Sequence, residues 1–198
     1  MNRHAAETER IRCDLPVISD RPCAQYSRVA MAANSFGVIL PRGHHMSEKT
    51  LFTDFWIKES KTTRNVLARI PEGSQYRPDP KSRTAREIAW QIVCEEQMLI
   101  DALESGKAAW SPAPVPATMK EIVDAYERQS ASIAARLPAL PDAKWDGALE
   151  FFGKQRPASP MAWSFLFDIV HHRGQITTYL RPMGSTVPQI YGPSADEP

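Results

Sequence analysis

Apolar residues recur at helical spacing in four stretches of the chain, each bounded by capping or breaking residues. The first starts at Ser47, a side chain able to cap a helix, with Glu48 in the first turn. Leu51, Phe52, Phe55, Trp56, Val66, Leu67 and Ile70 then share one broad face until Pro71. The second opens on the capping box Thr84-Ala85-Arg86-Glu87 and ends at Gly106, which supplies a left-handed stop. The third opens on a second box, Thr118-Met119-Lys120-Glu121, carries Ile122, Ala125, Tyr126, Ile133 and Leu137, and is expected to break at Pro138. The fourth is expected to start with Ser159 as cap and Pro160 in its first turn. It runs to about Leu180, where Arg181-Pro182-Met183-Gly184 forbids continuation. Stretches near 20 residues make rods of about 30 Å, so the predicted fold is an all-α, antiparallel four-helix bundle. Between Trp145 and Phe152 the apolar residues lack a clean period, which leaves a short strand pair or an irregular crossover open. The tail from Val187 to Pro193 is too proline-rich for a helix and too apolar for a free end, so it should lie across the bundle.

Residues 1–45 show neither period and are broken at Pro16, Pro22, Pro41 and Gly43. They read as an N-terminal extension, either disordered or upstream of a natural start at Met46, with residues 46–198 as the folded domain. Composition narrows the function classes. Across 198 residues, 24 Lys plus Arg against 23 Asp plus Glu leave a net charge of +1, with no global pull toward nucleic acid or anionic lipid. No apolar run reaches the roughly 20 residues of a membrane span. Three cysteines without a C-x-x-C pair, and acidic residues scattered through the first twenty positions, point to a cytoplasmic protein.

Candidate chemistry lies where the helical stripes turn polar. The second helix's stripe reads Ile88, Gln91, Glu95, Met98, Ala102, and the fourth's reads Met161, Phe165, Asp168, His172, Gln175, Tyr179. Gln91 with Glu95, and Asp168 with His172, are each four apart, so both pairs leave one face of their helix and could ring a common pocket. Buried carboxylates cost several kcal/mol unless paired, protonated or bound to a cation. One outcome is that Asp168 accepts a hydrogen bond from His172 while Gln91 and Glu95 reach water at the bundle's edge. The other is a divalent metal site made by Asp168, His172 and one of Gln91 or Glu95; mixed oxygen and nitrogen donors suit manganese, iron, nickel or zinc. Arg173 and Gln175 follow the histidines and could orient an anionic substrate or support the ligands. Only His171 and His172 of the five histidines lie beyond residue 45, so one folded domain cannot supply three imidazoles.

The run His171-His172-Arg173-Gly174-Gln175, then Thr178-Tyr179-Leu180-Arg181, then Val187-Pro188 and Ile190-Tyr191-Gly192-Pro193-Ser194-Ala195-Asp196-Glu197, together with residues 84–96, resembles the DinB (DinB/YfiT-like) family. The resemblance covers residues 46–198 and implies a one-domain four-helix bundle. The family takes its name from a DNA-damage-inducible gene, and nothing here looks like the translesion polymerase that shares the label. Members typically hold a divalent metal with three histidines, one from the second helix and an H-x-x-x-H pair from the fourth. Carried over by position, these fall on Gln91, Asp168 and His172, so two of three ligands are changed, with Glu95 placed to compensate. Some similar bundles transfer groups with low-molecular-weight thiols. The resemblance therefore implies a metal-dependent thiol S-transferase with a small-molecule thiol or electrophile as partner. His172 would be its general base and Arg173 would steer an anionic group. The rival reading is a catalytically silent, metal-free bundle, a homodimer among its forms, that binds a small ligand or serves a structural role.

Overall fold

The computed structural model describes residues 46–198; the reading of residues 1–45 lies outside the described residues. Four long helices form the body: α1 (Glu48–Leu67), α2 (Ala85–Ser105), α3 (Met119–Ala139) and, after the single turn α4 (Asp142–Trp145), α5 (Ala158–Leu180). A short 3-10 turn, Arg181–Met183, follows α5. Helix α2 packs against both α3 and α5, and so does α1, which leaves α1 and α2 on one diagonal of the bundle. No helix among the described residues is long and apolar enough to cross a membrane.

The sequence signals act where the spacing predicts. Ser47 Oγ accepts from the Thr50 amide, and both capping boxes close: Thr84 Oγ1 accepts from the Glu87 amide while Glu87 reaches back to the Thr84 amide at 2.7 Å, and Thr118 and Glu121 repeat the exchange. Gly106 ends α2 at φ 83°, a conformation that a side chain would strain. The core is built on aromatic packing, with the Phe52 ring 5.6 Å from Trp56, 5.0 Å from Trp145 and 5.1 Å from Trp163.

Three boundaries differ from the sequence reading. Helix α1 ends at Leu67 and the chain reaches Ile70 through tighter bonds, Arg69 N to Val66 O and Ile70 N to Leu67 O. Pro138 sits inside the last turn of α3, which runs on to Ala139. A proline so near the end removes one amide donor without bending a long helix. Helix α5 begins at Ala158, with Pro157 in the cap position and no side-chain cap, so Ser159 is already helical. The Ala158 amide is satisfied instead by the Gly147 carbonyl at 3.0 Å, a donor–acceptor pair brought together by the preceding hairpin.

That hairpin resolves the open choice after Trp145. Strands β1 (Lys107–Ala108), β2 (Ala148–Phe151) and β3 (Lys154–Pro157) form a small sheet in the order β1-β2-β3, β1 and β2 parallel, β2 and β3 antiparallel. The β2–β3 turn has Phe152 at φ 47° and Gly153 at φ 74°. Two positive φ values in a two-residue loop are the mark of a type I′ turn, which Asn-Gly fills without strain and phenylalanine does not. The tail lies on the bundle, with Val187 and Ile190 packed against the core. Side chains hold it in place of secondary structure: Asp196 accepts from the Val187 amide at 2.7 Å, Ser194 Oγ donates to the Val187 carbonyl at 2.7 Å, and Glu197 pairs with Arg69.

Because α2 carries half of the candidate site, its N-terminal cap sets where Gln91 and Glu95 stand. Thr84→Ala is expected to lower unfolding free energy by about 1 kcal/mol, measured by urea denaturation, and the conservative Thr84→Ser to lose much less.

Candidate functional site

The facing sides of α2 and α5 bring Gln91, Glu95, Asp168 and His172 to one point. Gln91 Nε2 donates to Glu95 Oε1 at 2.5 Å and lies 2.7 Å from His172 Nε2. His172 Nε2 is 3.7 Å from both Glu95 Oε1 and Asp168 Oδ2, and one ligand atom from each of Glu95, Asp168 and His172 lies within 4.8 Å of the others. His172 Nδ1 is 2.8 Å from Gln175 Oε1, an acceptor, so the ring proton sits on Nδ1 and donates to it. The Nε2 lone pair then faces the cluster and accepts from the Gln91 amide. Gln175 thereby takes the role of an orienting partner for the imidazole, as a residue behind a metal ligand does.

Burial within the cluster is uneven. Glu95 is 6% exposed, whereas the Asp168 side chain is 53% exposed at the edge. Glu95 therefore does not reach water as a surface carboxylate would, and the 3.7 Å between Asp168 and His172 is too long for a direct hydrogen bond. Burial pushes the Glu95 carboxyl up to about 7, Gln91's hydrogen bond opposing and the neighbouring Asp168 charge adding to the rise. Two buried oxygens, Gln91 Oε1 and Glu95 Oε2, have no hydrogen-bond partner. An unmet acceptor in such a place costs about 1–3 kcal/mol, so the cluster as it stands is short of a donor or a cation.

The cluster borders a cleft of about 1230 Å³, lined by Glu95, Gln91 and Asp168 on its polar side and by Trp90, Trp110, Phe151, Phe152, Met161 and Phe165 on its apolar one. Phe152 projects from the strained turn and is 69% exposed. Arg83, just before the α2 cap, and Arg156, on β3, also line it. Cys94 is the free cysteine among the described residues and shares this wall; burial raises its thiol pKa.

The reading of Arg173 needs correction. It is 2% exposed, and its guanidinium is occupied by Glu59 Oε2 at 2.6 Å on α1 and by the Tyr191 hydroxyl at 2.6 Å in the tail. Successive helical residues point about 100° apart, so with His172 facing α2 its neighbour must face α1. Arg173 therefore ties α1, α5 and the tail together and is not free to steer a substrate. His171 is exposed and outside the cluster.

The sequence reading missed Glu96, which is 1% exposed and accepts from the Tyr126 hydroxyl at 2.9 Å. Burial pushes its carboxyl up to about 8, against the lowering effect of that hydrogen bond. The signal was available: two adjacent acids on one helix cannot both face the same side. Arg83, Arg156 and Phe152 were also missed, since Arg83 comes from the loop before α2 and the other two from the hairpin, where no helical period reports which side chains enter the cleft.

A sequence model of the DinB family matches residues 46–198. The chain belongs to the DinB family. It is 28% identical over 149 residues to the uncharacterized protein YrdA of Bacillus subtilis (strain 168), covering 74% of this chain and 89% of that one. A DinB-like protein of Bacillus cereus ATCC 10987, solved by crystallography, shares 26% identity with a TM-score of 0.59, covering 71% of this chain and 95% of that one. The DinB-like protein YjoA of Bacillus subtilis has the same fold at 18% identity, with a TM-score of 0.57 over 72% of this chain and 98% of that one. The donor set fits a divalent cation in part: one imidazole nitrogen and two carboxylates converge, with two buried oxygens of Gln91 and Glu95 left without partners beside them, in place of the three imidazoles that the family resemblance led one to expect.

Two outcomes follow from the buried groups. Glu96 has a folded-state pKa near 8, above its ordinary 4.5. The native state therefore holds a proton that the unfolded chain gives up, so this contribution to stability is complete below about pH 4.5 and is lost as pH rises through 8. Urea midpoints should fall from pH 5 to 9, and Glu96→Gln should flatten most of that decline, Glu95 supplying the remainder. Arg173→Ala should cost about 3–5 kcal/mol in the same assay by leaving the buried Glu59 carboxylate unpaired.

Proposed function

We propose that Glu95, Asp168 and His172 hold a divalent cation, with Gln91 beside them, and that the cleft uses it to transfer a low-molecular-weight thiol to an electrophile. The observation that carries the reading is the pair of unmet buried oxygens beside a histidine whose Nε2 lone pair is already fixed toward the cluster. A bound divalent ion would lower the pKa of a thiol and so supply thiolate at neutral pH. The protein's own side chains do the rest. Gln175 keeps the His172 ring in the tautomer whose Nε2 lone pair faces the cluster, where it would hold the ion or, with no ion bound, would accept the proton of a thiol brought there. The apolar wall offers a surface for the non-polar part of a substrate beside the polar cluster. Cys94 stands in the same wall, where burial raises its thiol pKa, which favours a small-molecule thiol over it as the nucleophile.

Purified protein is expected to melt several degrees higher with manganese, nickel or zinc at about 100 times Kd, which corresponds to about 2.7 kcal/mol. His172→Ala should abolish the shift and Gln91→His should enlarge it; a shift unmoved by either substitution would remove the ion from this cluster. With metal present, cysteine-based thiols should react with a bimane-type electrophile faster than in the uncatalysed mixture, and His172→Ala should return the rate to that baseline.

A further inference from the structure

The Gln91 carboxamide stands where a cation would have to go. Its nitrogen is 2.5 Å from Glu95 Oε1 and 2.7 Å from His172 Nε2, and those two atoms are 3.7 Å apart. Both neighbours are acceptors, the imidazole because its one proton is committed to Gln175. The atom between them is therefore the NH2 group, with one hydrogen donated to each. Glu95 Oε1 and His172 Nε2 are also atoms that a divalent ion would bridge. An ion about 2.0–2.2 Å from each of two donors so spaced lies within about 3 Å of the Gln91 nitrogen, wherever it sits around the line joining them. Amide N–H groups turn positive charge toward such an ion and offer it no lone pair, so the ion and this orientation of the amide exclude one another.

The other edge of the same amide resolves the conflict. Gln91 Oε1 is buried and has no hydrogen-bond partner. The last torsion of a glutamine side chain is broad and roughly two-fold, so half a turn exchanges oxygen for nitrogen without moving the helix. A carboxamide carries a donor edge and an acceptor edge on one rotor: it can satisfy two acceptors in one orientation and ligate an ion in the other. With Oε1 turned inward the donor set becomes three oxygens, from Gln91, Glu95 and Asp168, and the single nitrogen of His172. Carbonyl and carboxylate oxygens suit manganese and similar hard ions, whereas imidazole suits nickel and zinc.

We infer that Gln91 sets which cation this cluster takes: its NH2 edge stands in for the ion between Glu95 and His172, and its Oε1 edge turns over to become an oxygen ligand when the ion enters. The inference rests on the proposed metal site and is independent of the thiol chemistry assigned to the cleft.

Two measurements on the full chain test it. The first is magnetic resonance of nitrogen-15-labelled protein with and without zinc chloride, zinc being diamagnetic. A hydrogen bond of 2.7 Å between two nitrogens should give a scalar coupling from Gln91 Nε2 to His172 Nε2 in the zinc-free sample, identified by its absence from Gln91→His. Saturating zinc should abolish that coupling while the His172 ring nitrogens shift. The second measurement compares dissociation constants for manganese and nickel by calorimetry. Nickel binds more tightly than manganese at most nitrogen and oxygen sites, so the ratio of the two constants carries the information. Gln91→His should raise the preference for nickel about tenfold, chiefly by strengthening nickel. Gln91→Glu, which keeps an oxygen donor, should leave the ratio within about threefold of the wild-type value. Coupling absent from the zinc-free protein, coupling that survives saturation, a ratio unmoved by Gln91→His, or one moved as far by Gln91→Glu each overturns the inference. If the His172 nitrogens respond to zinc and any of these results holds, the metal site stands and the role of Gln91 alone falls. If zinc shifts nothing around His172, the metal reading falls and takes this one with it.

Discussion

Ionisable groups sit in the seam between α2 and α5 at a depth where bare charge is expensive, and the rest of the molecule is arranged around that fact. Glu95 is almost closed off from solvent, and its carboxyl responds by holding a proton close to neutrality. The apolar residues to either side, Ile88, Ile92 and Leu99 on α2 with Phe165, Ile169 and Ile176 on α5, fix the separation of the helices and keep the polar groups from relaxing outward. What results is a site made by packing: hydrophobic contacts position groups that hydrophobic contacts alone would expel.

The same logic explains why neighbouring residues in the chain serve unrelated ends. Glu95 and Glu96 differ by one helical step, and one borders the cleft while the other binds Tyr126 inside the bundle. His172 and Arg173 repeat the division on α5, the imidazole turning to α2 and the guanidinium to Glu59 on α1. On the inner side Arg173 pairs with Glu59 and Glu96 accepts from Tyr126, and on the cleft side Gln91 donates to Glu95, while Glu96 Oε2, Gln91 Oε1 and Glu95 Oε2 are left without partners.

Much of this was legible from spacing. The capping boxes at Thr84 and Thr118, the stop at Gly106 and the i, i+4 pairs Gln91–Glu95 and Asp168–His172 are local signals, and local physics decides them. The start of α5 was misplaced because Pro157, fed by a strand, needs no side-chain cap when a hairpin carbonyl meets the first free amide. Arg173 was misassigned because its partner, Glu59, is more than a hundred residues away in the chain, and no periodicity reports such a pairing. Arg83 and Arg156 escaped notice for the same reason: only the fold brings the loop before α2 and the strand β3 to the lining of one cleft.

The adjacency of the two buried acids also limits how α2 can change over time. Inserting or deleting one residue between the Thr84 cap and Glu95 would screw the downstream half of the helix by about 100°, moving each of its two carboxyls into a neighbouring residue's surroundings. An insertion would bring Glu95 to the slot beside Tyr126 and turn Glu96 away from it, and a deletion would turn Glu96 toward the cleft and leave the Tyr126 hydroxyl without its carboxyl partner. Indels in this rod are therefore barred by charge as firmly as by volume, and variation is confined to swaps that conserve its length.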